Sequence, residues 1–322
     1  MNNFKKIGMT ALAASLVSTS VFAGEVTVAG SASMTVENYS SAGSVQAGKG
    51  FSMGNQLTFT GGGELDNGLT VGISFVLDQG DDTASNTAGM NPFDGHSVSI
   101  SSDALGTLVM HGEGGTNAQA ALDTTAAGDI WDTFDGTAGT AVESSASGAD
   151  IMVYTLPSMV DGLSVSASYS PQQSGAASST AYGLTYTGVE GLSVSYGKGD
   201  ENLGSSALDT DTTSMKASYA YGSFTLAYSN NDHSSAVADA DQETTSYKVS
   251  YTVSDAISVS YGTEEIAKEN STVDAEYEKL SVSYTSGGMT VSAASASSTD
   301  ALHGTTDIED RDYWSLGLSF AF

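Results

Sequence analysis

The segment Trp314-Ser315-Leu316-Gly317-Leu318-Ser319-Phe320-Ala321-Phe322 decides the fold. Side chains alternate across a strand, so Trp314, Leu316, Leu318, Phe320 and Phe322 share one face while Ser315, Gly317, Ser319 and Ala321 share the other. A face that is apolar to its last residue suits a strand closing a barrel in lipid. Hydrocarbon accepts the apolar side, and pairing with the first strand satisfies the backbone. No stretch approaches the ~20 apolar residues of a transmembrane helix, so any crossing of a bilayer falls to strands.

The other end of the chain is consistent with that location. Met1 to Lys6 is short and basic, Ile7 to Val17 is mostly apolar and small, and Val21-Phe22-Ala23 carries the residue sizes a signal peptidase reads. The pattern predicts a secretory leader, residues 1–23, cut between Ala23 and Gly24, with residues 24–322 as one barrel domain. The chain has no Cys, so nothing is stapled and order must come from backbone pairing. Its 37 Gly, 3 Pro and 39% hydrophobic residues without long apolar runs suit alternating strands better than a thick core. The formal charge is −29, and two of the nine basic residues, Lys5 and Lys6, lie in the leader. Such acidity excludes a nucleic-acid partner and opposes broad attachment to anionic lipid.

The second half repeats one unit, apolar-Ser-apolar-Ser ending in Tyr. Copies run from Leu163 to Tyr169, Leu192 to Tyr196, Phe224 to Tyr228, Ile257 to Tyr261 and Leu280 to Tyr284. Between them very short connections (188–191, 222, 254–255, 286–288) alternate with long acidic ones (200–213, 230–244, 262–276, 298–311). Short turns at one end and long loops at the other are the layout of a transmembrane β-barrel. The alternation places strands at 25–37, 51–61, 69–77, 96–102, 107–112, 150–156, 163–170, 181–187, 192–199, 214–221, 223–229, 245–253, 256–262, 277–285, 289–297 and 312–322. That makes an all-β, sixteen-stranded antiparallel barrel, wide enough for a water-filled lumen. Copies shorter than the ~9–11 residues needed to cross should extend into their polar flanks. Residues 312–322 should pair antiparallel with 25–37.

Tyrosines mark the strand ends. Tyr169, Tyr182, Tyr196, Tyr228, Tyr247, Tyr261, Tyr277 and Tyr313 fall toward the loop rim, and Tyr154, Tyr221, Tyr251, Tyr284 and Phe322 toward the other. Two aromatic belts are expected where amphipathic rings meet lipid headgroups.

With these features the chain resembles the sixteen-stranded general-diffusion porins of Gram-negative bacteria, in particular the alphaproteobacterial type. The resemblance rests on the terminal strand, on Ser102-Asp103-Ala104-Leu105-Gly106-Thr107-Leu108-Val109-Met110, and on Val153-Tyr154-Thr155-Leu156-Pro157-Ser158. It implies that the longest connection, about 113–149, is a third loop folded into the lumen as a constriction. That loop carries Glu113, Asp123, Asp129, Asp132, Asp135 and Glu143 and no Lys or Arg, and Trp131 and Phe134 are placed to pack it on the wall. The resemblance further implies small hydrophilic solutes as cargo, a homotrimer, surrounding outer-membrane lipid and lipopolysaccharide, and a barrel-assembly machinery that reads the strand from Trp314 to Phe322. Rim acids such as Asp78, Asp81, Asp82, Asp307, Glu309 and Asp310 either bridge lipopolysaccharide through divalent cations or are plain solvated charge; no EF-hand spacing is present.

Lys216, Lys248 and Lys279 each share the parity of the serine face, which points them inward. A lipid-facing Lys at the midplane would cost about 2–4 kcal/mol. Facing the acidic loop they would set up a transverse field across the pore, while solvation at the rim is the plainer reading. Lys198 has outward parity and reaches headgroups. The family's arginine cluster is missing; the one Arg, Arg311, falls in the last loop. The lumen should therefore be net negative and prefer cations. No catalytic, cofactor or metal motif appears, and His96, His111, His233 and His303 sit in or beside loops. A secreted acidic surface-layer or adhesin protein shares the composition but has no use for an apolar face on every strand, aromatic rims or a terminal Phe. A solute-specific channel would need a binding ladder that the sequence does not display.

Overall fold

In the computed structural model the alternating segments form sixteen antiparallel strands. They are β1 (Val26–Ser40), β2 (Gly48–Glu64), β3 (Thr70–Asp78), β4 (Gly95–Ser102), β5 (Gly106–Glu113), β6 (Ile151–Thr155), β7 (Leu163–Ser170) and β8 (Ser178–Tyr186). The second half contributes β9 (Leu192–Asn202), β10 (Thr210–Tyr221), β11 (Phe224–Ser235), β12 (Gln242–Thr252), β13 (Ile257–Lys268), β14 (Ala275–Ser286), β15 (Met289–Thr299) and β16 (Arg311–Ala321). The structure describes residues 26–40, 48–78, 94–134, 145, 148–171, 178–202, 209–301, 303 and 310–322. The leader with Ala23 and Gly24, the loop acids Asp135 and Glu143, and the rim acids Asp81, Asp82, Asp307 and Glu309 lie outside them.

Each strand pairs with its sequence neighbours, and β16 returns to β1 to close the barrel. The closing register runs from Ser31 opposite Ala321 to Ser40 opposite Asp312. Gly30 N–H donates to the Phe322 carbonyl at 2.7 Å, and Phe322 N–H donates to the Gly30 carbonyl at 2.9 Å. Closure leaves no edge strand in the sheet, the condition for crossing hydrocarbon with strands. Among the described residues no helix is long and apolar enough to cross a membrane.

The two faces differ as the alternation requires. Trp314, Leu316, Phe320 and Phe322 are exposed, as are Met34 and Val36 on β1, Phe51 and Met53 on β2, and Leu226 and Tyr228 on β11. The alternate positions are small or hydroxylic, and many are buried: Ser168, Ser214, Ser229 and Ser246 among them. Short turns join the strands at one end; Gly222 and Gly287, each at φ 60°, supply the left-handed residue such tight reversals need.

At the other end the strands outrun expectation. Residues 262–276 are expected as a loop, yet β13 continues to Lys268 and β14 begins at Ala275. Acids and hydroxyls do not interrupt a ladder, which needs only backbone donors and acceptors. Two further corrections concern parity. Tyr277 and Tyr313 do not belong to the rim belt: they are 1% and 9% exposed, whereas Tyr169, Tyr182, Tyr196, Tyr228, Tyr247 and Tyr261 are all exposed. Tyr277 shares parity with Lys279 and Ser281, and Tyr313 with Ser315, so both turn to the serine face. Arg311 is not in a loop but opens β16, buried on that same face.

Candidate functional site

The longest connection, between β5 and β6, is held against the serine face. Its first part is a polar turn. Asn117 Oδ1 accepts the N–H groups of Gln119 at 2.9 Å and Ala120 at 2.7 Å, starting a 3-10 turn, Ala120–Leu122. An Asn side chain can supply this acceptor locally, which is why it initiates turns. Gln119, fully buried, donates through Nε2 to Ser214 Oγ of β10 at 2.7 Å and accepts through Oε1 from Ser145 Oγ at 2.6 Å. The Ala118 N–H donates to Ser168 Oγ of β7 at 2.9 Å. Beneath this turn the wall is glycine: a Cβ on Gly183, Gly197 or Gly199 would run into Ala118, Gln119 or Ser145 respectively.

The second part is bound more heavily. The Ala126 and Ala127 N–H groups donate to Ser229 Oγ of β11 at 2.7 Å and Ser246 Oγ of β12 at 3.0 Å. Thr125 folds the chain on itself: its hydroxyl accepts from the N–H of Gly128 at 3.1 Å and of Asp129 at 2.7 Å, while its own N–H donates to Asp129 Oδ1 at 2.8 Å. That hydroxyl in turn donates to Oε1 of Glu264, and Oε2 of the same carboxylate accepts the Trp131 N–H at 3.0 Å. Glu264, on β13 and 2% exposed, thus ties together both ends of the Thr125–Trp131 bend.

Beyond the bend a second 3-10 turn, Ile130–Phe134, supplies the apolar anchor. Ile130 and Phe134 are fully buried in a cluster with Ala127, Ile266, Ala275, Tyr277, Ala296, Ala301 and Tyr313, against which Trp131 packs. The Phe134 ring lies 5.8 Å from that of Tyr277 and 6.4 Å from that of Tyr313. Burial of two such side chains contributes on the order of 1.5–3 kcal/mol each.

The three lysines meet this segment from the same wall. Lys248 and Lys279 flank Gly262 in the β12–β13–β14 register, and Ala127 sits over the space that a Gly262 side chain would fill. Lys248 Nζ reaches the Ala127 carbonyl at 3.5 Å. The carboxylates acting on Lys216 are Asp129 and Asp123; those acting on Lys279 are Glu264, Asp132 and Asp129. Asp123, Asp129 and Asp132 are thus near enough to act electrostatically on Lys216 and Lys279. Glu113 stands apart at the end of β5, opposite His96. Lys198 pairs outward with Asp211 at 3.4 Å.

Asn117, Gln119, Ser145, Gly262 and Glu264 are members of the site that the sequence reading missed. For Glu264 a signal existed: it has the parity of Ser258, Ser260 and Gly262, and the expected loop boundary at 262 concealed it.

Comparison with known proteins agrees with this architecture. A family model described as Gram-negative porin matches residues 8–301. A porin structure refined at 1.8 Å resolution is 21% identical with a TM-score of 0.69, covering 92% of this chain and 100% of that one. An anion-selective porin from Comamonas acidovorans is 18% identical with a TM-score of 0.69, over 92% and 99%. A loop L8 deletion mutant of OmpT, an outer membrane protein of Vibrio cholerae, is 15% identical with a TM-score of 0.72, over 94% and 100%. At these identities the structural likeness speaks for the fold. Among curated proteins none matches the chain significantly. The match along most of the sequence, on a closed sixteen-stranded barrel, places the chain in the Gram-negative porin family, as an outer-membrane channel of that kind.

Proposed function

We propose that the channel is a general-diffusion pore for small hydrophilic solutes with a preference for cations, narrowed by the segment 113–149 lying inside the barrel. The observation that carries this reading is the row of loop bonds to Ser168, Ser214, Ser229, Ser246 and Glu264, all on the face opposite the exposed apolar one. In the constriction Asp123, Asp129 and Asp132 are the nearest acids, with Glu113, Asp135 and Glu143 on the remainder of the loop.

The charge balance supports cation preference. Among the described residues, β1 to β6 carry a single base, Lys49, and it has the outward parity of Phe51 and Met53. Lys216, Lys248, Lys268, Lys279 and Arg311 share the parity of the serine face with Glu37, Glu201 and Glu264, and the loop adds Glu113, Asp123, Asp129 and Asp132. Solute-accessible charge is then mostly acidic. In a KCl gradient across a planar bilayer the reversal potential should have the sign of cation permeation; an anion-selective potential would overturn this.

A homotrimer in lipopolysaccharide-containing membrane completes the proposal. Between residues 26 and 113 the one Tyr is Tyr39, on the inward parity, and there is no Trp. The outer face of β1 to β5 carries Phe51, Phe59 and Phe75 but none of the interfacial Tyr or Trp that the rest of the wall displays, as suits a surface covered by a second copy rather than by lipid headgroups. Cleavage between Ala23 and Gly24 and recognition of the strand from Trp314 to Phe322 by the assembly machinery belong to the same proposal.

A further inference from the structure

Arg311 is the one arginine of the chain, and it stands 9% exposed at the start of β16. Its partner across the β15–β16 ladder is Ser298, 3% exposed, and beyond Ser298 in the same row lies Tyr277. Among the described residues neither Arg311 Nε nor Ser298 Oγ has a hydrogen-bond partner. The indole N–H of Trp131, packed on the adjoining cluster, is a further buried donor without an acceptor.

Among the described residues, four carboxylates on or beside this side of the barrel accept hydrogen bonds from other groups. Asp310 Oδ1 accepts the Asp300 N–H at 3.2 Å, Asp312 Oδ2 accepts from Ser40 Oγ at 3.3 Å, and Glu37 Oε2 accepts from Tyr313 Oη at 3.0 Å. Glu264 is taken by Thr125 and Trp131. A guanidinium cannot give up its proton, so leaving its Nε–H buried without an acceptor is costly.

We propose that Arg311 and Ser298 form a binding site for a small oxyanion, the carboxylate or phosphate group of an entering solute. The planar fork of Arg matches two oxygens of either group, and the Ser hydroxyl offers another donor from the neighbouring strand. The site stands at the loop-bearing end of the wall, two residues before Tyr313 on the same face and hence on the side of the Phe134 anchor. It would give an otherwise acid-rich entrance one point of attraction for dipolar or anionic solutes. This rests on the channel reading only in that the oxyanion arrives through the lumen.

The test uses the full chain refolded in detergent micelles with Trp314→Phe, so that Trp131 alone reports. Inorganic phosphate and acetate are titrated separately at constant ionic strength set with KCl. Saturable change in Trp131 emission with either anion is expected, the tighter one identifying the preferred group. Arg311→Gln should weaken it at least tenfold and Ser298→Ala several-fold, with heat-modifiable migration on gels retained. A non-saturating response to both anions, or an undiminished one in Arg311→Gln and Ser298→Ala, overturns the site. Conductance in KCl, recorded on the same preparation, distinguishes the two readings: an open channel without oxyanion binding defeats only the site.

Discussion

Replacing Glu264 by Ala removes the carboxylate that joins both ends of the Thr125–Trp131 bend. Two donors lose their acceptor, the Thr125 hydroxyl and the Trp131 N–H. Hydrogen bonds to a charged group contribute about 1.5–3 kcal/mol each, which gives an upper figure of about 3–6 kcal/mol. The neutral bonds that remain in this part of the loop, from Ala126 and Ala127 to Ser229 and Ser246, contribute about 0.5–1.5 kcal/mol each. Water re-solvates the freed donors, so about 2–3 kcal/mol is the expected loss of positioning energy, still comparable to all the remaining polar anchorage of residues 125–131. Ile130 and Phe134 stay buried, so the bend loosens without leaving the wall. Single-channel recordings should show raised open-channel noise and a changed mean conductance, and limited proteolysis should cut within 125–131. Glu264→Gln keeps one acceptor oxygen and should fall between Ala and the parent. A Glu264→Ala channel with parental conductance, noise and protease pattern would refute the latch.

Three further outcomes are expected. Replacing Lys216, Lys248 and Lys279 together by Gln should raise the cation-to-anion permeability ratio by about twofold or more, given that charge near the constriction sets selectivity; an unchanged reversal potential counts against their placement in the pore. Gly262→Val drives side-chain atoms into Ala127, an overpacking of about 1–3 kcal/mol, and hydrogen exchange should quicken at the Ala126 and Ala127 amides with the barrel intact. Deleting Phe322 removes the two closing bonds to Gly30, about 0.5–1.5 kcal/mol each, and should lower the temperature at which the folded form loses its fast migration on a gel. Full retention of that temperature would mean that closure does not depend on the last residue.

Sixteen strands, their order and the closing pair could be read from alternation because a strand in lipid is a local pattern. Each apolar residue in the 314–322 segment declares its face without reference to any other part of the chain. The serine faces were equally visible, and so was the inward turn of Lys216, Lys248 and Lys279. Strand ends were less so. Nothing local separates Thr263-Glu264-Glu265 as ladder from the same residues as loop, since backbone pairing above the bilayer tolerates polar side chains. That ambiguity concealed Glu264 and, with it, the strongest hold on the loop. Tyr277 and Tyr313 were misplaced for a different reason: ring amphipathicity suggested the rim, while their parity, which decides, pointed inward to Phe134.

The sequence by itself determined the class of protein, because the solvent on each side of the wall imposes its chemistry on every second residue. Only the tertiary structure decided what the serines are for. Brought together from β7, β10, β11 and β12, Ser168, Ser214, Ser229 and Ser246 become acceptors for Ala118, Gln119, Ala126 and Ala127. These partners lie 50 to 119 residues apart along the chain. Closing the barrel is the step that makes them neighbours, and no local period carries that information.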